Sequence, residues 1–231
     1  MNEQLKSRAV ASCSFGKDSL AMCLRLMEEG YPLDEIVFYD TGMEFQAVYA
    51  EKERFTPIFE GGGISVTTLT PRKPFLWDMF ARPVHARDGS LKPGYGWCGG
   101  PCRWGTTAKN AEIARYSKGA LIYVGIAADE TDRPQEPAKR YPLIEWGMTE
   151  ADCLQYCYDH GAEWREGDVR LYDILSRVSC WCCRNKNKRE LRAIRDYLPE
   201  YWERLLCLEM RLGTMKDKPL NELFDEQGRL F

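Results

Sequence analysis

Residues 14–19 read Ser14, Phe15, Gly16, Lys17, Asp18, Ser19, between the apolar run Ala9, Val10, Ala11 and the stretch Leu20, Ala21, Met22, Cys23, Leu24. A strand, a glycine-containing turn and an amphipathic helix in that order build an anion cradle. Successive main-chain N–H groups converge in the turn, and the helix dipole adds partial positive charge. Lys17 brings a mobile full charge, while Ser12, Ser14 and Ser19 bring hydroxyls. Such a loop grips phosphate or sulfate, and it points to a nucleotide ligand.

Sulfur forms the second chemical group. Of ten cysteines, Cys98 and Cys102 stand in the glycine- and proline-rich run 96–104, and Cys180 and Cys183 form a Cys-x-x-Cys pair. Two pairs of thiolates brought together give a tetrahedral sulfur set suited to zinc or to an iron–sulfur cluster. Their separation in sequence means that the fold, not a local ribbon, must unite them. Cys182, beside Cys183, reads as the spare. Cys13, Cys23 and Cys207 read as small core hydrophobes. Cys153 and Cys157 share one helix face and read as packing. His85 and His160, the two histidines, lack a partner at ligand spacing and read as surface or loop residues.

Charge gathers at two further places. The apolar run 35–39 ends in Asp40, Thr41 and Gly42, and the run 120–126, which includes Gly125, is followed by Asp129, Glu130 and Arg133. At the carboxyl end of a parallel strand, Asp129 and Glu130 suit Mg2+ held between phosphates. Arg133 suits bidentate pairing with phosphate or sulfate. Asp40 has an alternative reading as a cap for the helix starting near Phe45. Between 177 and 195, Arg177, Arg184, Lys186, Lys188, Arg189, Arg192 and Arg195 lie near Trp181 and Trp202. That interleaving fits nucleic acid or a phosphorylated acceptor, and it equally fits a solvated helix.

The elements that must position these groups follow from periodicity. Strand-like runs at 9–14, 36–40, 64–69 and 120–126 alternate with helical stretches at 19–29, 45–59 and 106–118. The expectation is an α/β fold, a parallel twisted sheet with helices on both faces. Residues 71–105 are dense in glycine and proline and read as an irregular lid or metal-loop insertion. After Gly147 the chain turns helical, at 149–160, 188–198 and 201–212. The expected organisation is a nucleotide-binding domain over 1–147 and a C-terminal helical region over 148–231 carrying the Cys-x-x-Cys pair.

Net charge is −3, with 44% hydrophobic and 29% charged residues, so overall charge makes no case for a protein that coats nucleic acid. No run of eighteen apolar residues indicates a membrane span. The polar N-terminus lacks an apolar signal core, and the expectation is a cytoplasmic protein. In that reducing compartment, cysteines serve metal or redox chemistry rather than a disulfide framework. An oligomer is compatible with the sequence.

The loop does not match the P-loop of kinases and GTPases: Ala11 stands where its first glycine would be, and Asp18 follows the lysine where a hydroxyl is required. It resembles instead the Ser-Gly-Gly-Lys-Asp-Ser loop of the PP-loop ATP pyrophosphatase superfamily (adenine nucleotide alpha hydrolase-like), with Phe15 at the first glycine. Within it, the chain most resembles the phosphoadenosine phosphosulfate reductase family. The resemblance implies a Rossmann-like fold and places Gly16, Lys17, Asp18 and Ser19 around the phosphates or sulfate of an adenine nucleotide. It extends to the Asp40, Thr41, Gly42 turn, to the loop holding Gly125, Asp129 and Glu130, and to Lys139 and Arg140. Iron–sulfur members, and the DNA phosphorothioation ATPases similar to them, hold a 4Fe-4S cluster with two separated cysteine groups. The downstream group there is also Cys-x-x-Cys, whereas the upstream spacing differs from that of Cys98 and Cys102, and this keeps zinc open.

The resemblance implies two reactions. A sulfonucleotide (PAPS or APS) reductase uses a cysteine in a C-terminal segment, and residues 217–231 carry none. The preferred expectation is therefore cleavage of ATP to AMP and pyrophosphate, with Lys17, Asp18 and Arg133 as the catalytic groups and Mg2+ assisting. That activates an acceptor for sulfur transfer, with a sulfur-donor protein as partner. A zinc-stabilised nucleotide-binding adaptor without turnover is the reading from a different class.

Overall fold

The computed structural model describes residues 8–100, 102–133 and 135–227. β1 (Ala9–Ser12) leads into α1 (Lys17–Glu28), β2 (Glu35–Tyr39), α2 (Gln46–Gly61) and β3 (Ser65–Leu69). Then come α3 (Phe75–Phe80), the antiparallel pair β4 (Pro83–His85) and β5 (Leu91–Pro93), a π-helical turn over Arg103–Ala108, and α4 (Lys109–Tyr116). β6 (Leu121–Val124), β7 (Lys139–Arg140), α5 (Pro142–Glu145) and α6 (Glu150–Asp159) follow. The C-terminal part holds the pair β8 (Arg165–Glu166) and β9 (Val169–Arg170), α7 (Leu171–Ile174), α8 (Lys188–Tyr197) and α9 (Pro199–Leu212), then a 3-10 turn over Glu222–Gln227.

The chain divides into two compact units. The first comprises the described residues up to Asp40, Gln46–Thr70 and Lys109–Trp164; the second comprises Thr41–Phe45, Pro71–Ala108 and the residues from Arg165 on. This partition cuts the sequence differently from a linear division after residue 147. α6 packs along α1 in the first unit, and the 71–105 insertion falls in the second with the C-terminal helices.

The first unit is an α/β layer. Its five strands run all parallel in the order β3-β2-β1-β6-β7, with helices around them. β2 is buried along its whole length and β3, at the edge, is not. That difference explains why β2 reads as a continuous apolar run and β3 as Ser-Val-Thr-Thr-Leu. Val10, Val37, Tyr39 and Ile113 form one core cluster, with Leu69, Tyr116 and Ala120 against it. Each large apolar side chain buried there contributes about 1.5–3 kcal/mol. α1 ends at Glu28 with Glu29 as its C-cap, after which Gly30 takes φ 69°; α6 opens on a Thr149/Asp152 capping box.

The second unit is built on α8 and α9. Leu191, Ile194 and Leu205 are fully buried, and Phe45 packs edge-on to Tyr201 with centroids 4.8 Å apart. The irregular segment expected over 71–105 holds α3 and the β4/β5 pair instead. Cys207, expected in the core, is exposed, because the buried stripe of α9 is Tyr201, Leu205 and Leu208. Among the described residues, no helix is long and apolar enough to cross a membrane.

Candidate functional site

The turn from β1 into α1 is held by side chains of its own residues. Ser19 Oγ accepts the main-chain N–H of Ser14 at 3.0 Å, lies 3.1 Å from Ser14 Oγ, and donates to the Gly16 carbonyl at 3.2 Å. Gly16 is the N-cap of α1 and supplies no side-chain cap. Phe15 occupies φ 53°, the left-handed region that glycine adopts without steric cost. Its ring is fully buried, edge-on to Phe38 at 5.6 Å.

Lys17 is 6% exposed. Its Nζ donates to Asp18 Oδ1 at 2.8 Å and to Glu150 Oε2 at 2.6 Å. Burial alone would lower the pKa of the amine, but Asp18 and Glu150 outweigh it and raise it. Burial raises the Asp18 carboxyl against the pull of Lys17, and the neighbouring charges of Glu150 and Glu130 push the same way. A cation held between carboxylates at a helix N-terminus can stabilise charge on a phosphate once one carboxylate gives way.

Strand order reverses direction between β1 and β6, and a ligand crevice is expected outside the carboxyl ends of those two strands. A cavity of about 190 Å3 opens there, lined by Ser12 at the end of β1 and by Val124 and Ile126 at the end of β6. Ile113 and Ala114 of α4 supply apolar wall, and Arg133, Lys139 and Tyr141 supply polar groups. Gly125 fixes how closely the loop after β6 meets α1. A Cβ at that position would stand 2.8 Å from Ser19 Cα and 3.1 Å from Ser19 N, inside backbone contact distance. Only glycine lets the strand exit pass the start of the helix.

The other sequence-derived residues of this unit lie as follows. Asp129 Oδ1 accepts the main-chain N–H of Glu150 at 3.0 Å and so caps α6. Glu130 pairs with Arg133 at 3.0 Å. Asp40 accepts the hydroxyl of Tyr49, on α2, at 2.7 Å. Thr41 and Gly42 belong to the second unit, where Thr41 is buried and Gly42 takes φ 73°.

All four cysteines singled out as metal ligands fall in the second unit and line one cavity. Cys98, Cys102, Cys180 and Cys183 surround a space of about 120 Å3 together with Phe75, Met79 and Trp97. Cys182, read as the spare, lines it too and is 3% exposed. Among the described residues, no group of three or more His, Cys, Asp or Glu side chains stands as a metal-holding set. Two hydrogen bonds hold the first cysteine segment against the second: Gly100 N–H donates to Asn185 Oδ1 at 3.0 Å, and Asn185 Nδ2 donates to the Gly100 carbonyl at 2.9 Å. Cys98 Sγ accepts the N–H of Arg103 at 3.2 Å, and Cys102 Sγ accepts that of Gly105 at 3.3 Å. Donors aimed at sulfur tune any centre bound to it. Burial holds the Cys180 thiol well above the ordinary range, and Glu44 adds to the effect.

Lys186 corrects the reading of 177–195 as one basic surface. It is 3% exposed, with Nζ 5.3 Å from the centre of the Phe45 ring and 3.4 Å from Ser179 Oγ. Burial lowers its pKa, while Glu190 and the Cys183, Cys180 and Cys182 thiols pull it back up. Arg192 and Arg195 stack over Phe224 at 5.4 and 4.7 Å.

Sequence reasoning missed Glu150, Trp164, Asn185 and the burial of Lys186. The partners of Glu150 and Trp164 are more than a hundred residues away, and no local spacing marks them. Cys13, Cys23, Cys153 and Cys157 are buried as read. His85 lies exposed on β4, whereas His160 is half-buried against Glu28.

No protein-family model matches the chain. In an alignment of 217 positions that covers 87% of its length, the chain is 25% identical to an uncharacterized protein of Methanocaldococcus jannaschii. It spans about two fifths (41%) of the length of that curated relative.

Proposed function

We propose that this chain is an adenine-nucleotide enzyme of the PP-loop type, cleaving ATP to AMP and pyrophosphate to activate an acceptor for sulfur transfer. One observation carries the reading. The Ser14–Ser19 turn follows Ser12 and packs against Gly125. Ser12 and the neighbours of Gly125, Val124 and Ile126, line a cavity at the reversal point of an all-parallel sheet, although the turn residues are not part of that lining. Such a crevice is the place where these sheets hold nucleotides.

In this reading an acceptor oxygen attacks the α-phosphorus. The bond from that phosphorus to the bridging oxygen breaks, and pyrophosphate leaves with the electron pair. Lys17 and the N-terminal amides of α1 neutralise charge on the departing group, which is the main catalytic contribution. Arg133 binds a phosphate oxygen, and Asp18 orients Lys17. Asp129 and Glu130, hard oxygen donors, would hold Mg2+ accompanying the phosphates. Sulfur then displaces AMP from the activated acceptor.

Cys98, Cys102, Cys180 and Cys183 would hold a metal centre, since four thiols around one cavity match the donor set of a 4Fe-4S cluster or of zinc. Such a centre supplies a sulfur-delivery or acceptor-shaping group. The exposed arginines of the 177–195 segment are the proposed contact for a nucleic-acid or phosphorylated acceptor.

Incubation with α-labelled ATP and candidate acceptors tests the reaction: label appearing in AMP, with pyrophosphate released in equal amount, supports it. No α-phosphate cleavage with any acceptor contradicts it. Metal analysis of Cys180→Ser and Cys183→Ser tests the ligands separately, because each should lose the centre and stoichiometric metal in both would remove the assignment.

A further inference from the structure

Glu150 holds the lysine on which the nucleotide reading turns, and that reading leaves it without a role. Its Oε2 accepts from Lys17 Nζ at 2.6 Å across 133 residues of sequence, while Asp18 Oδ1 accepts from the same ammonium at 2.8 Å. The Lys17 side chain is 7% exposed and that of Glu150 is 35% exposed. The carboxylate therefore reaches a buried cation from a half-buried position. Its backbone is fixed: the Glu150 N–H donates to Asp129 Oδ1 at 3.0 Å, and the Thr149/Asp152 capping box sets the first turn of α6.

An ammonium between two carboxylates is more than neutralised. With both carboxylates in place a phosphate oxygen meets their repulsion, and it takes the full charge of Lys17 only when one of them withdraws. Asp18 is the next residue in the chain and rides on the same helical turn. Glu150 comes from another helix, on a longer side chain that is more exposed than that of Asp18 (35% against 26%), so it is the group that leaves. We propose that Glu150 is an internal competitor for the phosphate: it occupies Lys17 in the ligand-free protein and sets how tightly the loop holds a polyanion. The inference rests on the nucleotide reading and adds the residue that tunes it. A ligand must bring enough negative charge to outbid a carboxylate already in place, so the site favours polyphosphates over singly charged anions. The same carboxylate returns to Lys17 when the anion departs.

Calorimetric titration of ATP, and separately of inorganic tripolyphosphate, into the wild type, Glu150→Gln, Lys17→Ala and the double variant tests this. In Glu150→Gln the Kd for both probes falls at least fivefold, and the gain disappears in the Lys17→Ala background. Glu150→Asp, one methylene shorter, falls between the wild type and Glu150→Gln and covers the case in which the amide variant fails to fold. An unchanged or higher Kd in both Glu150 variants overturns the proposal. So does a gain of equal size with and without Lys17, which is the signature of removing one bulk charge. Wild-type binding without any gain removes only the role of Glu150; failure of every protein to bind either probe removes the nucleotide reading together with it.

Discussion

The indole N–H of Trp164 donates to the main-chain carbonyl of Phe15 at 2.7 Å, and both residues hold positive φ, 44° and 53°. Two strained residues, 149 positions apart, thus hold each other. Both side chains are fully buried, so packing fixes a loop conformation that glycine would adopt without help.

Phe15→Gly sets those two effects against each other. Holding the left-handed region costs a phenylalanine about 1–2 kcal/mol, which glycine recovers. Deleting a fully buried phenylalanine costs about 3–5 kcal/mol in lost packing and cavity. The variant is therefore less stable by about 1–4 kcal/mol in urea unfolding, and a stabilised variant would contradict the packing account.

Gly125→Ala places a methyl group within 2.8 Å of Ser19 Cα. The obstacle is backbone, which cannot swing aside as a side chain tip would. The expected result is destabilisation by about 1–3 kcal/mol, as for overpacking elsewhere, with loss of nucleotide binding. Wild-type stability together with wild-type affinity would mean that this close approach does not matter.

The His160–Glu28 pair predicts a pH dependence. His160 Nε2 lies 2.7 Å from Glu28 Oε1, and Nδ1 lies 2.7 Å from the Tyr156 carbonyl. Burial alone would lower the imidazole pKa; the Tyr156 carbonyl and Glu28 outweigh it and leave it raised. Burial would raise Glu28, but the Tyr156 hydroxyl and His160 leave it lowered. The raised histidine contributes stability that is complete below its unfolded pKa of about 6.5 and fades as pH rises through the higher folded value. The lowered Glu28 contributes above its unfolded value of about 4.3 and fades as pH falls through the lower folded one. Both contributions are complete between roughly pH 4.3 and 6.5. Glu28 is 44% exposed, so solvent screening limits the pair to no more than about 1 kcal/mol. His160→Gln should lose most stability relative to wild type near pH 6 and progressively less toward pH 8. A difference that stays constant over that range would contradict the pairing.

The loop, the parallel sheet and the two cysteine groups were legible in the sequence because each rests on short spacing: six residues for the turn, alternating periods for strands and helices, three or four positions for each cysteine pair. Glu150 was not legible, since nothing near it in sequence distinguishes it from any acid in a first helical turn. The burial of Lys186 was hidden for a similar reason, because the surrounding run of arginines and lysines reads as solvent-facing. Density of glycine and proline masked α3 and the β4/β5 pair. Cys207 could have been placed correctly, as it lies off the Tyr201, Leu205, Leu208 stripe of its own helix.

Titration of ATP into the wild-type protein and Lys17→Ala, both with unfolding curves showing a folded state, tests the central claim most directly. The account predicts saturable binding at one site per chain and a Kd at least tenfold higher without the lysine. Equal affinity in the two proteins, or no saturable binding in the wild type, would contradict it.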